Sequence, residues 1–207
     1  TITIASIIDD LIDESDETVI VTLSNPSNAT LGGNDVHTYT ITDNDDAPTI
    51  EFNSVSSSGD ESVSSADLTV DLSGPSSEAV TVDYTVTGTA ESGTDYTLAN
   101  GTLTINSGDT SGTITIASII DDLIDESDET VIVTLSNPSN ATLGVNDVHT
   151  YTITDNDDAP TIAFTDPSSS NPESINSADL PVDLSAESSQ SVTVDYPVTG
   201  TAESGTD

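Results

Sequence analysis

A long internal repeat limits what this chain can fold into more than any other feature does. Residues 1–48 recur as residues 113–160 with one change, Gly33 against Val145. Residues 49–95 recur more loosely, without a gap, as 161–207, so a single period of 112 residues runs through the chain. That period is the size of an independent sandwich domain, well above the length of a solenoid unit. The joint is marked by Asn-Asp-Asp-Ala-Pro at 44–48 and 156–160. Its proline donates no ladder hydrogen bond and its acids favour water. The pattern predicts three pieces: 1–47 as the C-terminal part of one repeat, 48–159 as a complete repeat, and 160–207 as the N-terminal part of the next. The chain opens in mid-pattern at Thr1, with no methionine, signal peptide or membrane span, and is expected to be an excerpt of something longer.

Within the complete repeat, apolar and polar residues alternate with a period of two. Leu68, Val70 and Leu72 show it, as do Val82, Tyr84 and Val86, and Val131, Val133 and Leu135. Rich in Thr, Val and Ile, seven segments read as strands: 49–52, 66–72, 80–87, 101–105, 113–120, 130–135 and 148–154. Ser-Gly-Pro, Asn-Ser-Gly-Asp and Ser-Asn-Pro supply turns between them. No helical periodicity competes. The expected fold is all-β, a seven-strand antiparallel Ig-like sandwich repeated in tandem. The third copy carries Pro181 and Pro197 where the complete repeat has Thr69 and Thr85, inside its second and third strands. A proline there demands a free ladder position or a bulge.

Charge narrows the function. The chain holds 38 acidic residues and no lysine or arginine, for a formal charge of −38. No ion pair with either basic side chain can form, and self-repulsion opposes compaction unless cations from solution offset it. A polyanion has the wrong sign to bind nucleic acid or an anionic membrane through charge. Cysteine is absent, so no disulfide or thiolate zinc site exists, and without lysine no Lys–Asn crosslink can form.

The acids are sorted along the chain. Six fall within residues 9–17, a stretch that returns at 121–129. In an antiparallel sandwich the segments after odd-numbered strands gather at one pole. Asp60 and Glu61 follow the first strand, Glu91 and Asp95 the third, Asp121 to Glu129 the fifth, and Asp155 to Asp158 the seventh. The other pole has only Glu78, Asp109 and Asp147. Crowding of this kind costs several kcal/mol unless a multivalent cation bridges the carboxylates. Calcium, which takes six to eight oxygens in flexible geometry, suits such loops better than magnesium or zinc. Neither an EF-hand nor a glycine-rich nonapeptide calcium repeat is present.

The ordered motifs VDYTVTGTAESGTDY at 82–96, GTLTI at 101–105, IIDD at 119–122 and LSNP at 135–138 carry a resemblance to a known family. They resemble the Calx-beta domain, and in repeat phase the likeness covers the full chain. The family consists of Ig-like sandwiches found in sodium/calcium exchangers and in tandem in large bacterial surface proteins. The resemblance implies calcium ligands from the distal loops. Position by position these are Glu61, Asp95, Asp121, Asp122, Glu126, Asp155 and Asp157. Asn156 stands where the family often has a third aspartate, which removes one formal charge. The partial copies carry incomplete sets: Asp9, Asp10, Glu14, Asp43 and Asp45 in one, Glu173 with Asp207 in the other.

His37 and His149 occupy the same repeat position and read as surface strand histidines. The Asn-X-Thr sequons at Asn28, Asn100 and Asn140 are what so Thr-rich a sequence produces by chance. A unit copied almost verbatim is a poor enzyme design and a good rod, so no catalytic site is expected. The reading that results is a calcium-stiffened spacer in a long extracellular bacterial surface protein, an adhesin or matrix fibre. Its partners are calcium ions, neighbouring repeats and homotypic fibre contacts. The alternatives are a regulatory calcium sensor, which needs differing sites and a coupled surface, and a haloadapted repeat, which would spread its acids over strand faces.

Overall fold

Strands whose alternate side chains are apolar have one face that must leave water, and two such sheets cover each other. A computed structural model describes residues 1–202 and has this arrangement. Two strands of the first partial copy, β1 (Glu17–Thr22) and β2 (Val36–Ile41), pair antiparallel. The complete repeat contains β3 (Thr49–Phe52), β4 (Ser56–Asp60), β5 (Ser65–Leu72), β6 (Val80–Gly88), β7 (Gly101–Ile105), β8 (Ser111–Ala117), β9 (Glu129–Ser139), β10 (Thr142–Leu143) and β11 (Val148–Thr154). In the third copy β12 (Ile162–Phe164) pairs with β13 (Val182–Leu184).

One sheet of the complete repeat runs β10-β3-β5-β8 and the other β4-β11-β9-β6-β7. Ile50, Phe52, Leu68, Val70, Leu72, Ile114 and Ile116 line the inner face of the first. Val80, Val82, Ile105, Val131, Val133, Leu135, Tyr151 and Ile153 line the second, and the two sets form one buried cluster. Each such side chain contributes roughly 1.5–3 kcal/mol on burial. With no ion pair or disulfide available, this cluster holds the fold.

The first expected strand, 49–52, is β3 over its whole length, and a further strand that the alternation did not predict follows it. After Phe52 the chain crosses at 53–55 to the opposite sheet, where β4 runs parallel to β11 with Ser56 opposite Thr150 and Asp60 opposite Thr154. A second parallel pairing joins β10 to β3. The remaining ladders of the complete repeat are antiparallel.

His149, expected on the surface, is buried. It shares the inward face of β11 with Tyr151 and Ile153. Its Nε2 lies 2.8 Å from Ser57 Oγ and its Nδ1 2.5 Å from the Ser54 carbonyl, so it pins β4 to β11. Phe52 packs against the ring at a centroid distance of 5.4 Å.

The repeats share register. Val19 faces Tyr39 as Val131 faces Tyr151, and Ile162 faces Leu184 as Ile50 faces Leu72. Pro181 lies just outside β13, where its carbonyl accepts from Thr165 N at 3.0 Å. No strand forms around Pro197 among the described residues.

Candidate metal centre

Four loops meet at one pole because each follows a strand pointing that way. Glu61 leaves β4, and its N–H donates to Thr154 O at the end of β11 at 3.1 Å. Asp95 is reached from β6 through Gly88, whose φ of +140° and contact with the Thr130 carbonyl exclude any side chain. Thr89 N and Ala90 N then donate to that same Thr130 carbonyl at 3.0 and 3.1 Å. The 118–128 segment is fastened to Asp95 by Ile120 N, which donates to Asp95 O at 2.9 Å. Asp122 caps its own loop by accepting from Ile124 N at 2.7 Å.

The result is a cavity of about 280 Å³ lined by the carboxylates of Glu61, Asp95, Asp122, Glu126, Glu129 and Asp155. Ile120, Ile124 and Ile153 close its apolar side. Beside it, Glu61, Asp155 and Asp157 bring one oxygen each within 4.8 Å of one another. At that separation two carboxylates repel by about 3 kcal/mol at an effective dielectric of about 20. Asp121 joins through Asn156, whose side-chain amide donates to it at 3.0 Å. The Asn156 N–H donates to Glu61 Oε1 at 3.3 Å, and Asp155 accepts from Glu126 N at 3.2 Å.

Glu61 is 7 % exposed, and burial raises its pKa to about 7. The Asn156 N–H opposes that rise, while Asp155 and Asp157 add to it. Burial, with Asp95 and Glu126 beside it, also holds Glu129 at about 7. Glu126 is raised by burial and then by Asp122, Asp95 and Asp155. Asp157 rises for the same reasons, burial first and Asp155 next. Asp60, by contrast, moves down, through the hydroxyl and N–H of Ser62. The buried Oδ2 of Asp157 has no hydrogen-bond donor at all. An orphaned oxygen in an all-oxygen, all-anionic setting fits a hard divalent cation.

Of the residues singled out in the complete repeat, Glu61, Asp95, Asp122, Glu126 and Asp155 line the cavity, Asp157 completes the triad and Asp121 sits at its rim. Glu129, the first residue of β9, lines the cavity as well, although the residues carried over by resemblance do not include it. Its position at the end of the 121–129 acidic run is the signal that could have found it. In the first partial copy Asp9, Asp10, Glu14, Asp43 and Asp45 line a smaller cavity of about 100 Å³, with Glu17 in the place of Glu129. Burial and neighbouring acids raise Glu14 and Asp45 there. Glu173 is exposed, and among the described residues it belongs to no gathered group of carboxylates; Asp207 lies outside the described residues.

The Calx-beta domain family matches residues 1–45, 43–157 and 155–207. The chain belongs to the Calx-beta family. Its Calx-beta fold is shared with "Crystal structure of CBD12 from CALX1.2", 32% identical at a TM-score of 0.50 over 57% of this chain and 48% of that one. It is also similar to "Crystal structure of Apo-form Calx CBD1 domain", 29% identical at 0.50, covering 54% of this chain and 100% of that domain. A further structure, described as calcium binding domain CBD12 of CALX1.1, is 31% identical at 0.49 over 56% and 48%. The chain thus spans about half the length of the two CBD12 structures. No curated protein matches it. The Calx-beta sandwich is a non-catalytic binding domain, and no helix of the described residues is long and apolar enough to cross a membrane.

Proposed function

We propose that these repeats are calcium-binding structural spacers in a long extracellular bacterial adhesin or matrix fibre. Module boundaries fall at 47/48 and 159/160. Ca²⁺ is held where one module passes into the next, by Glu61, Asp95, Asp121, Asp122, Glu126, Asp155 and Asp157, with Glu129 added. Asp9, Asp10, Glu14, Asp43 and Asp45 hold it at the preceding joint, and Glu173 belongs to the following set. One observation carries the reading: a carboxylate cavity and, next to it, the orphaned buried oxygen of Asp157 lie together at the exit of β11. The ion would supply the positive charge that the chain cannot make, letting loops from four strands close together. Extracellular modules use weak sites, with Kd of about 10⁻⁴–10⁻³ M, because the ion is abundant there.

Calorimetric titration and thermal melting test it. At ten-fold excess over Kd, calcium adds about 1.4 kcal/mol, enough to raise Tm by roughly 5–10 °C for one such domain. Sodium at equal ionic strength should not reproduce the rise. Equal effects of the two salts leave only diffuse screening and overturn site binding.

A further inference from the structure

The residues of the acidic loop that leave the metal centre unused are as informative as those that form it. Three polar residues of the described chain are buried: Glu61, His149 and Ser76. The first belongs to the acidic cavity and the second pins β4. Ser76 is 1% exposed and lies far from both, in the turn between β5 and β6, where the preceding module meets it. Its Oγ accepts from Glu78 N at 3.2 Å and donates to Asp13 Oδ2 at 3.5 Å. The next residue, Ser77, gives both its N–H and its hydroxyl to the Asp13 carbonyl, each at 3.1 Å.

The same contact recurs one period later. Ser189 N and Oγ donate to the Asp125 carbonyl at 3.1 and 3.3 Å, and Ser188 Oγ to Asp125 Oδ2 at 2.8 Å. Ser188 Oγ also accepts from Gln190 N at 3.1 Å, as Ser76 does from Glu78. Parallel bridges Asp13–Ser76 and Asp125–Ser188 fix the same pairing of backbone at both joints. In the complete repeat the receiving turn is stiffened from below, since Gly108 N donates to Ser76 O at 2.9 Å and Ser107 Oγ to Ser77 O at 2.7 Å.

We propose that the Ser-Ser turn after β5 is the docking site for the preceding module's acidic loop, with Asp13 or Asp125 as the inserted residue, and that this joint closes without metal. The chemistry is complementary. The loop offers a carbonyl and a carboxylate; the two serines of the turn offer N–H and hydroxyl donors that are themselves uncharged. Serine serves both ends at once, capping its own turn and donating outward, which alanine cannot do. The neighbouring position adapts. Glu78 accepts from Ser15 Oγ at 2.8 Å at one joint, whereas Gln190 donates to the Glu126 carbonyl at 3.3 Å at the other. The inference extends the spacer reading and rests on it only in that the modules are strung end to end.

The chain has no cysteine, so a nitroxide pair can be placed cleanly at Thr69→Cys and Ala163→Cys, both exposed, in the full chain. Interspin distances are measured in chelator, without any divalent ion. The unsubstituted joint should give a narrow distribution. Asp125→Ala with Ser189→Pro, which removes the carboxylate and the donating N–H, should broaden it about two-fold or more, as for modules joined only by a linker. Ser188→Ala with Asp125→Ala keeps every backbone donor, guards against a folding defect from Ser189→Pro, and should broaden the distribution as well. A broad distribution in the parent chain, or a narrow one in both variants, overturns the latch. Calcium titration of the Ser188→Ala and Asp125→Ala sample, which leaves every proposed ligand and the Ser189 contact with Glu126 in place, reports on the spacer reading separately, because narrowing of an unlatched variant requires only the metal centre.

Discussion

The side-chain amide of Asn156 donates to the Asp121 carboxylate at 3.0 Å, tying the exit of β11 to the start of the acidic loop. It supplies a donor where every neighbour is an acceptor. Asn156→Asp removes that donor and adds a charge. In chelator the variant should lose roughly 1–2 kcal/mol of stability. Its calcium affinity should rise about five- to ten-fold, because ligand charge count sets affinity in such sites. Urea melts with and without calcium, run beside calorimetry, read both changes. A variant no weaker in chelator than the parent contradicts the role given to Asn156.

Glu61 and Glu129 set a pH dependence whose sign follows from their environment. Both are held at about 7 against an ordinary 4.5. Without metal, their contribution to stability is complete below pH 4.5 and is lost as the pH rises through about 7. Tm in chelator should therefore fall between pH 5 and 8 by way of these two groups. Calcium competes with the same protons, so its affinity should strengthen over that range, with proton release visible in buffers of different ionisation enthalpy. Affinity that is flat from pH 5 to 8 excludes Glu61 and Glu129 from the site.

His149 is expected to matter for stability and, at one remove, for the metal centre. His149→Phe leaves the Ser57 hydroxyl and the Ser54 carbonyl without their partner, at a cost of about 1–3 kcal/mol. β4 runs from this contact directly to Glu61, so calcium affinity should drop alongside stability. Unchanged unfolding free energy in the variant would mean that β4 is held by its ladder alone.

Gly59 lies under the Tyr151 hydroxyl, and a Cβ built there would collide with it. Gly59→Ala should cost roughly 1–3 kcal/mol. Adding Tyr151→Phe removes the clashing oxygen and should return part of that loss, although the ring carbon at 3.3 Å stays tight. Additive losses in the double variant would show that the two positions do not meet.

Much of this was legible from residue order because the core strands alternate strictly. Segments 49–52, 101–105 and 148–154 are strands over those same residues. β4 was not legible, since Ser-Ser-Ser-Gly-Asp carries no apolar side chain; its place is set by the edge of β11 and by His149. The burial of His149 was within reach, for it stands two residues from Tyr151 and four from Ile153 on one face. Parity groups the acids by loop, and Glu61, Asp95, Asp122, Glu126 and Asp155 line one cavity, yet parity does not separate Asp121, bound by Asn156, from Asp122 inside that cavity. Glu173 stood apart because the segments that would converge on it belong to other parts of a module.

The crossing of the chain from β3 to β4 also has a mechanical consequence. β4 lies near the start of the module, β11 at its end, and the two run side by side in the same direction from Ser56–Thr150 to Asp60–Thr154. Tension applied through the linkers pulls β4 backward and β11 forward, so their hydrogen bonds are sheared together and not peeled singly. A tether built from such modules would resist stretching up to a threshold force and then lengthen abruptly, one module at a time.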